Sequence, residues 1–395
     1  MARITEKKLI FTLENSLKDF EKKGNLDLAL DYYNPNGYFK KVYFISYNPE
    51  DKNIIHNKEW LEVISPIYFS FLHRIKSFKI LFFMSLPFIY IIHLLNLIYL
   101  IKKEKINISR TGHPYLMSFP LWMASKISNI PFISTIGGDN RLAQEKIGRY
   151  HIFNNKFLSF FVEELLLKHS DNVIVPNLYT SNYVKSISTQ KNISIIPLPL
   201  RDEIFKNLER NLDIQNPKYF LFIGRFVGDK HPDFVLELYI KYLKDNPNTL
   251  LNLVMVGDGE LKQKLIERVN EENINDRVLF TGFLNTEGIS KYLEENPICL
   301  IPISGFVIYE AAVFGNIIVT SDIEWHSEFI EDNKNGWVGK YLDVEDWIQK
   351  LKIIDSDFVG SKNKALKLKN KMRTLSPNNI YDKQIEVYKK VLNEK

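Results

Sequence analysis

The chain has 395 residues, 45% hydrophobic and 25% charged, the composition of an ordinary globular protein long enough for two cores. Its formal net charge of +5 is small for that length and argues against a nucleic-acid partner, which calls for a denser basic face. Cys299 is the only cysteine, which excludes an intrachain disulfide and agrees with a reducing compartment.

The first residues, MARITEKKLIF, are polar and lack the apolar core and small-residue cleavage site of a signal peptide, so a cytoplasmic location is expected. Residues 8–13 and 41–47 are short runs rich in β-branched and aromatic residues and predict strands, with a helical pattern over 15–33 between them. Further strands are expected at 106–110, 132–136 and 172–175, separated by helices over 115–128 and 155–169. This alternation predicts an α/β domain on a parallel sheet.

Lys79 and Lys102 bracket 22 uncharged residues, 80–101, interrupted only by Ser85, Pro87, His93 and Asn96. Arg74, Lys76 and Lys79 precede or open the run, and Lys102, Lys103 and Lys105 follow it. Three readings are open. The stretch forms a pair of buried or half-buried helices, or a surface element that dips into anionic headgroups between basic flanks, or a membrane span. A span would cut a sheet domain between its strands.

Residues 176–217 carry Pro176, Pro197, Pro199 and Pro217 and read as the junction between domains. Strands are then expected at 219–223, 251–256, 278–281, 298–301 and 317–320, with helices over 232–244, 259–272, 286–295, 308–314 and 344–354. The expected organisation is an N-terminal Rossmann-like domain (1–200), a second, C-terminal one (201–375), and an amphipathic terminal helix (376–395) returning to the first. Two doubly wound α/β domains of this kind face each other across a cleft at the carboxyl ends of their strands.

The strongest chemical signal is the pair LFIGRFVGDK (221–230) and GFVIYEAAVFGNIIVTSD (305–322). Arg225 offers a planar fork of donors for phosphate oxygens and Lys230 a mobile point charge. Together they stabilise a departing diphosphate without a metal. Glu310, on an expected helix first turn, can accept two hydrogen bonds from ribose hydroxyls, and a helix N-terminus near 306–309 would add backbone N–H groups for phosphate. The chain is read as lacking an Asp-x-Asp device for a metal-bound diphosphate, so neither metal nor other cofactor is expected.

These segments, with VMVGDGELKQKL, VLFTGFL and NGWVG in the same order, resemble retaining glycosyltransferase family 4, the glycosyl transferases group 1 domain on the GT-B fold. The resemblance covers roughly 218–340. It implies donor binding by Gly224, Arg225, Lys230, Ser304, Gly305, Phe306, Glu310 and Gly282. Gly257 is included too, although Gly257 and Gly259 also read as a simple turn. The family often carries two glutamates eight residues apart; counting back from Glu310 reaches Pro302. The carboxylate that meets the donor sugar in the family is therefore absent.

The N-terminal half resembles the family more loosely. FTLENSLKDFEKKG places Asn15 and Ser16 at the end of the first strand, in an acceptor or phosphate loop. SRTGHPYLMSFPLWMA makes His113 the candidate histidine near the reacting sugar, against a plain loop histidine. FISTIGGDNR puts Gly137, Gly138, Asp139 and Arg141 just after a strand. Asp139 either orients the acceptor hydroxyl or caps the next helix.

The resemblance implies a transferase that moves a sugar from a nucleotide-sugar donor to a hydroxyl of a glycan or lipid-linked acceptor with retention, in polysaccharide or glycoconjugate synthesis. In the family the departing phosphate takes the acceptor's proton, so no nucleophile is required. Two alternatives stand beside it: a nucleotide-sugar epimerase on the same fold, and a degenerate relative that binds a nucleotide or glycan. The third expected partner is an anionic membrane touched peripherally on its cytoplasmic face; nucleic acid is not expected.

Overall fold

A computed structural model describes residues 5–13, 16–22, 26–54, 58–68, 79–147, 155–210, 216–303 and 305–394. The chain forms two compact units, residues 1–198 with 378–395, and residues 199–377.

The first unit contains seven strands: β1 (Thr5–Thr12), β2 (Phe39–Ile45), β3 (Leu61–Ile64), β4 (Ile108–Thr111), β5 (Phe132–Thr135), β6 (Asn172–Val175) and β7 (Ile193–Ile195). They form one sheet in the order β3-β2-β1-β4-β5-β6-β7, parallel throughout. Leu9, Ile10 and Phe11 in β1 are fully buried, as a central strand covered on both faces requires. Strands β3 and β7 were not anticipated. They are short edge strands whose residues are largely half-exposed, so they lack the continuous apolar run of a central strand.

The expected junction at 176–217 is corrected in part. It contains the helix Leu178–Ile187 and strand β7, both within the first unit. The apolar stretch is also corrected: it is one helix, Lys79–Glu104, with Pro87 inside it, rather than a pair. His93, Leu97 and Ile101 are buried on its inner face, and Leu97 and Ile101 share a core with Leu121 and Ala124 of the helix Phe119–Ile127. Among the described residues, no helix is long and apolar enough to cross a membrane.

The terminal helix Pro377–Val391 supplies Gln384 and Tyr388 to the first unit. Both meet Arg110, which is fully buried in β4. Arg110 Nη1 donates to Tyr388 Oη at 2.5 Å and Gln384 Oε1 at 3.3 Å, while Nε donates to Thr135 Oγ1 at 2.9 Å. The guanidinium also lies over the rings of Tyr32 and Tyr33, 4.7 and 4.6 Å from their centroids. A buried cation is thus compensated by aromatic faces and neutral acceptors.

The second unit contains β8 (Tyr219–Ile223), β9 (Asn252–Val256), β10 (Val278–Gly282), β11 (Ile298–Ile301), β12 (Ile317–Ser321) and β13 (Trp337–Gly339). The sheet runs β10-β9-β8-β11-β12-β13, again parallel throughout. Its helices at Pro232–Asp245, Lys262–Glu271, Thr286–Glu294, Val307–Val313 and Val344–Ser356 match the expected ones to within a few residues. From β8 the chain winds outward to β9 and β10, whereas β11 leads the other way to β12 and β13. The β8/β11 boundary is therefore a topological switch point, where the loops at the strand carboxyl ends diverge and leave a crevice. In the first sheet the same reversal falls between β1 and β4.

Candidate active site

The two segments singled out in the sequence leave the carboxyl ends of neighbouring strands, 224–230 after β8 and 302–310 after β11. The first is held in place by the turn after β9. Gly224 N donates to Val256 O at 3.0 Å, Phe226 N to Asp258 O at 2.9 Å, and Leu261 N to Phe226 O at 2.9 Å. Gly257 has φ +145°, and a Cβ there would stand 1.9 Å from the Gly224 carbonyl oxygen. Gly259, at φ +157°, would put a Cβ 2.5 Å from Phe226 O. Only glycine fits either position, so the structure gives these two residues a packing role beneath the Gly224 turn. Gly282, at φ +74°, accepts from Gly257 N at 3.0 Å and closes the same assembly.

Arg225 and Lys230 converge on one anion. Arg225 Nη2 lies 3.5 Å and Lys230 Nζ 3.9 Å from the same Asp229 carboxylate oxygen. Asp229 was not anticipated, although its place four residues after Arg225 was legible. Arg225 is largely exposed and Lys230 less so. The convergence of two cations is the arrangement that a diphosphate needs.

Glu310 lies on the seven-residue helix Val307–Val313 and is only 4% exposed. Arg201 Nη2 approaches Glu310 Oε1 at 3.2 Å, and Arg201 Nη1 donates to Thr286 Oγ1. Burial pushes the Glu310 carboxyl upward in pKa, and Arg201 opposes that shift. Neither Arg201 nor Thr286 was found from the sequence, because nothing near them marks a partner so far along the chain. The helix has only two turns, so the expected contribution of its dipole to phosphate binding is small. Gly305 is exposed, Phe306 is 38% exposed and Pro302 is buried; Ser304 lies outside the described residues.

In the first unit the candidates follow β1, β4 and β5. Asn15 lies outside the described residues. Ser16 is engaged within the fold: its hydroxyl donates to Asp51 Oδ1 and accepts from Asn48 Nδ2 at 2.8 Å, while Leu17 N donates to Asp51 Oδ2 at 2.9 Å. The fully buried Asp51 thus anchors the start of the helix Leu17–Lys22. His113 follows β4. Its ring stacks on Tyr115 at 5.5 Å, and its carbonyl accepts from Thr111 Oγ1 at 2.9 Å and Ser118 Oγ at 2.6 Å.

Asp139 Oδ1 accepts from Leu142 N at 2.9 Å and so caps the helix Asn140–Ile147. Arg141 Nε pairs with Glu163 Oε2 at 3.2 Å, and Arg141 Nη2 donates to Phe160 O at 3.2 Å. Glu163 is fully buried and also accepts from Asn140 Nδ2 at 3.0 Å and Tyr183 Oη at 2.9 Å. Burial raises its pKa, while Tyr183, Asn140 and Arg141 stabilise the carboxylate. This network fixes the loop after β5 and ties Arg141 into it. A Cβ on Gly137 or Gly138 would meet nothing within 4 Å, so packing within the chain does not require glycine at either position.

The chain does carry one Asp-x-Asp triplet, Asp355-Ser356-Asp357, beyond the motif-bearing segment. Asp355 Oδ2 accepts from Tyr242 Oη at 3.0 Å, and Asp357 Oδ1 caps the helix Phe358–Lys371 through Gly360 N at 2.8 Å. The first carboxylate ties two helices together and the second caps the helix that follows it.

Residues 203–375 match the family model of glycosyl transferases group 1. The second unit is a glycosyl transferases group 1 domain. All the donor-side candidates, Gly224 to Glu310, lie within the matched span. The chain is 24% identical over 265 residues to poly(ribitol-phosphate) alpha-N-acetylglucosaminyltransferase of Staphylococcus aureus (strain COL), covering 63% of this chain and 52% of that protein. It therefore spans about half the length of that relative. Among solved structures, sucrose-phosphate synthase from Thermosynechococcus elongatus superposes with a TM-score of 0.72 at 15% identity, over 98% of this chain and 100% of the other. Anabaena HepE in complex with UDP gives 0.70 at 12% identity, over 97% and 100%. At these identities the likeness shows the fold alone, the two-domain GT-B architecture.

Proposed function

We propose that the protein is a metal-independent retaining glycosyltransferase. It moves a sugar from a nucleoside-diphosphate donor to a hydroxyl of a glycan or lipid-linked acceptor, in the synthesis of cell-surface polysaccharide or glycoconjugate at the cytoplasmic face of a membrane. The observation that carries this reading is the convergence of Arg225 and Lys230 on one carboxylate oxygen at the β8/β11 switch point. Glu310 follows the neighbouring strand and serves as the ribose ligand. Arg225 and Lys230 hold the diphosphate and neutralise the charge that develops as it departs. His113, Asp139 and the glycines at 137 and 138 belong to the acceptor side. The solved HepE complex with UDP supports a uridine nucleotide as the first donor to test.

The test is a donor screen with UDP- and GDP-sugars, read by release of nucleotide and by mass of the product. Transfer from at least one donor is expected, with loss in Arg225→Ala and Lys230→Ala. Pro302, in place of a carboxylate, favours the second reading, a binding protein without transfer. Calorimetry with nucleotides and glycans separates the two: binding of either without turnover supports the second, and binding of neither overturns both.

A further inference from the structure

The helix Lys79–Glu104 has two apolar faces. One is in the core, through Ile89, His93, Leu97 and Ile101. The other is exposed: Phe88 at 70%, Leu95 at 59% and Tyr99 at 64%, with Ile91 and Ile92 beside them. The spacing 88, 91, 92, 95, 99 is that of a single helical stripe, and over those residues it runs for roughly 16 Å. Single exposed hydrophobics are ordinary, but a continuous stripe marks an interaction surface.

A second apolar ridge stands on the same side of the first sheet. Phe157 and Phe161 of the helix Lys156–His169 are 75% and 53% exposed, with ring centroids 6.4 Å apart. The helix Phe119–Ile127 lies between the two ridges. Its Trp122 packs both with the core beneath Lys79–Glu104 and with Val162 and Leu166 beneath Lys156–His169.

Charge identifies what this surface meets. Residues 74–105 hold six Lys or Arg and one Glu, an excess equal to the formal net charge of the whole chain, +5. Lys102, Lys103 and Lys105 are exposed at the end of the stripe, and Lys103 lies over the Tyr99 ring at 5.7 Å. An apolar stripe bounded by cations is complementary to a bilayer with anionic headgroups: the ring and aliphatic groups enter the acyl boundary and the ammonium groups stay at the phosphates. We propose that the outer face of Lys79–Glu104, with the Phe157/Phe161 ridge, docks this protein on an anionic lipid surface.

The test is flotation of the full-length protein with phosphatidylcholine vesicles, with and without phosphatidylglycerol, at low and high salt. No donor or acceptor is present, so the result is independent of the transferase reading. Binding is expected only with phosphatidylglycerol, and it falls as salt rises. Phe88→Ser with Leu95→Ser should lower vesicle affinity by at least about tenfold, since each removes a large exposed apolar group that docking buries. Lys102→Glu with Lys103→Glu should abolish the preference for anionic lipid. Melting temperature and nucleotide binding verify that the variants are folded. Absence of flotation at low salt, or flotation unchanged in the first double variant, overturns the proposal. So does a concentration-dependent dimer, seen by sedimentation and lost in that variant, which would assign the face to a second copy of the chain.

Discussion

Arg201 Nη2 lies 3.2 Å from Glu310 Oε1, joining residues 109 positions apart in sequence. The pair decides the state of the proposed ribose ligand. Burial favours the protonated carboxyl, and Arg201 favours the carboxylate that accepts hydrogen bonds from hydroxyls. Arg201→Met is therefore expected to weaken UDP or GDP binding by about tenfold or more at neutral pH. The deficit should grow as pH falls, because protonation of Glu310 moves to higher pH without the cation. Arg201→Lys should restore most of the affinity. Calorimetry across pH checks this; an unchanged pH profile in Arg201→Met would remove Arg201 from the site.

Arg225→Ala and Lys230→Ala should each reduce transfer by at least about a hundredfold, the scale of losing a charge-assisted contact to the leaving group. Stability should scarcely change, because the Arg225–Asp229 pair is exposed and such pairs contribute under about 1 kcal/mol. Asp229→Asn frees both cations from their internal anion. It should tighten nucleotide binding about two- to fivefold. Weaker binding in Asp229→Asn would mean that the carboxylate positions the cations instead of competing with the diphosphate.

Glycine substitutions separate packing from ligand approach. Gly257→Ala places a methyl 1.9 Å from the Gly224 carbonyl oxygen at φ +145°, so it should cost about 2–4 kcal/mol and weaken nucleotide binding as the Gly224 turn shifts. Gly305→Ala meets nothing within 4 Å and should leave the melting temperature unchanged. A loss of transfer in Gly305→Ala with an intact fold would place donor close to that backbone.

His93 makes stability depend on pH. Burial lowers its pKa to about 4 from 6.5, and its Nδ1 meets Tyr68 Oη at 2.7 Å. Between those values the unfolded chain binds the proton and the folded chain does not. Stability from this group is therefore complete above pH 6.5 and declines as pH falls towards 4, by about 3 kcal/mol in all. Urea unfolding at pH 7.5 and 4.5, compared with His93→Asn, reads the difference. Equal pH dependence in both proteins would contradict the assignment.

Tyr388→Phe removes one acceptor from the buried Arg110 and should destabilise the first unit by about 1–3 kcal/mol. The double change with Arg110→Met should recover part of that loss, since an unpaired buried cation costs more than an apolar residue of similar volume. Thermal unfolding of the three variants forms the cycle that measures it.

Much of this protein was legible in the chain itself, because its central strands are uninterrupted apolar runs and its helices carry a regular period. The β8 loop with Arg225 and Lys230, the Glu310 helix and the Gly257 turn were readable for the same reason: local patterns encode local structure. The edge strands β3 and β7 were not, since short, half-exposed strands have little pattern. Tertiary structure alone decided which partners occupy the candidates. Asp51 claims Ser16, Glu163 claims Arg141, and Arg201 reaches Glu310, all through side chains whose sequence separation hides the contact. It also decided that the apolar stretch is one helix with a buried face and an exposed face. Hydropathy sums over both faces of a helix, whereas burial is fixed only by what packs against each.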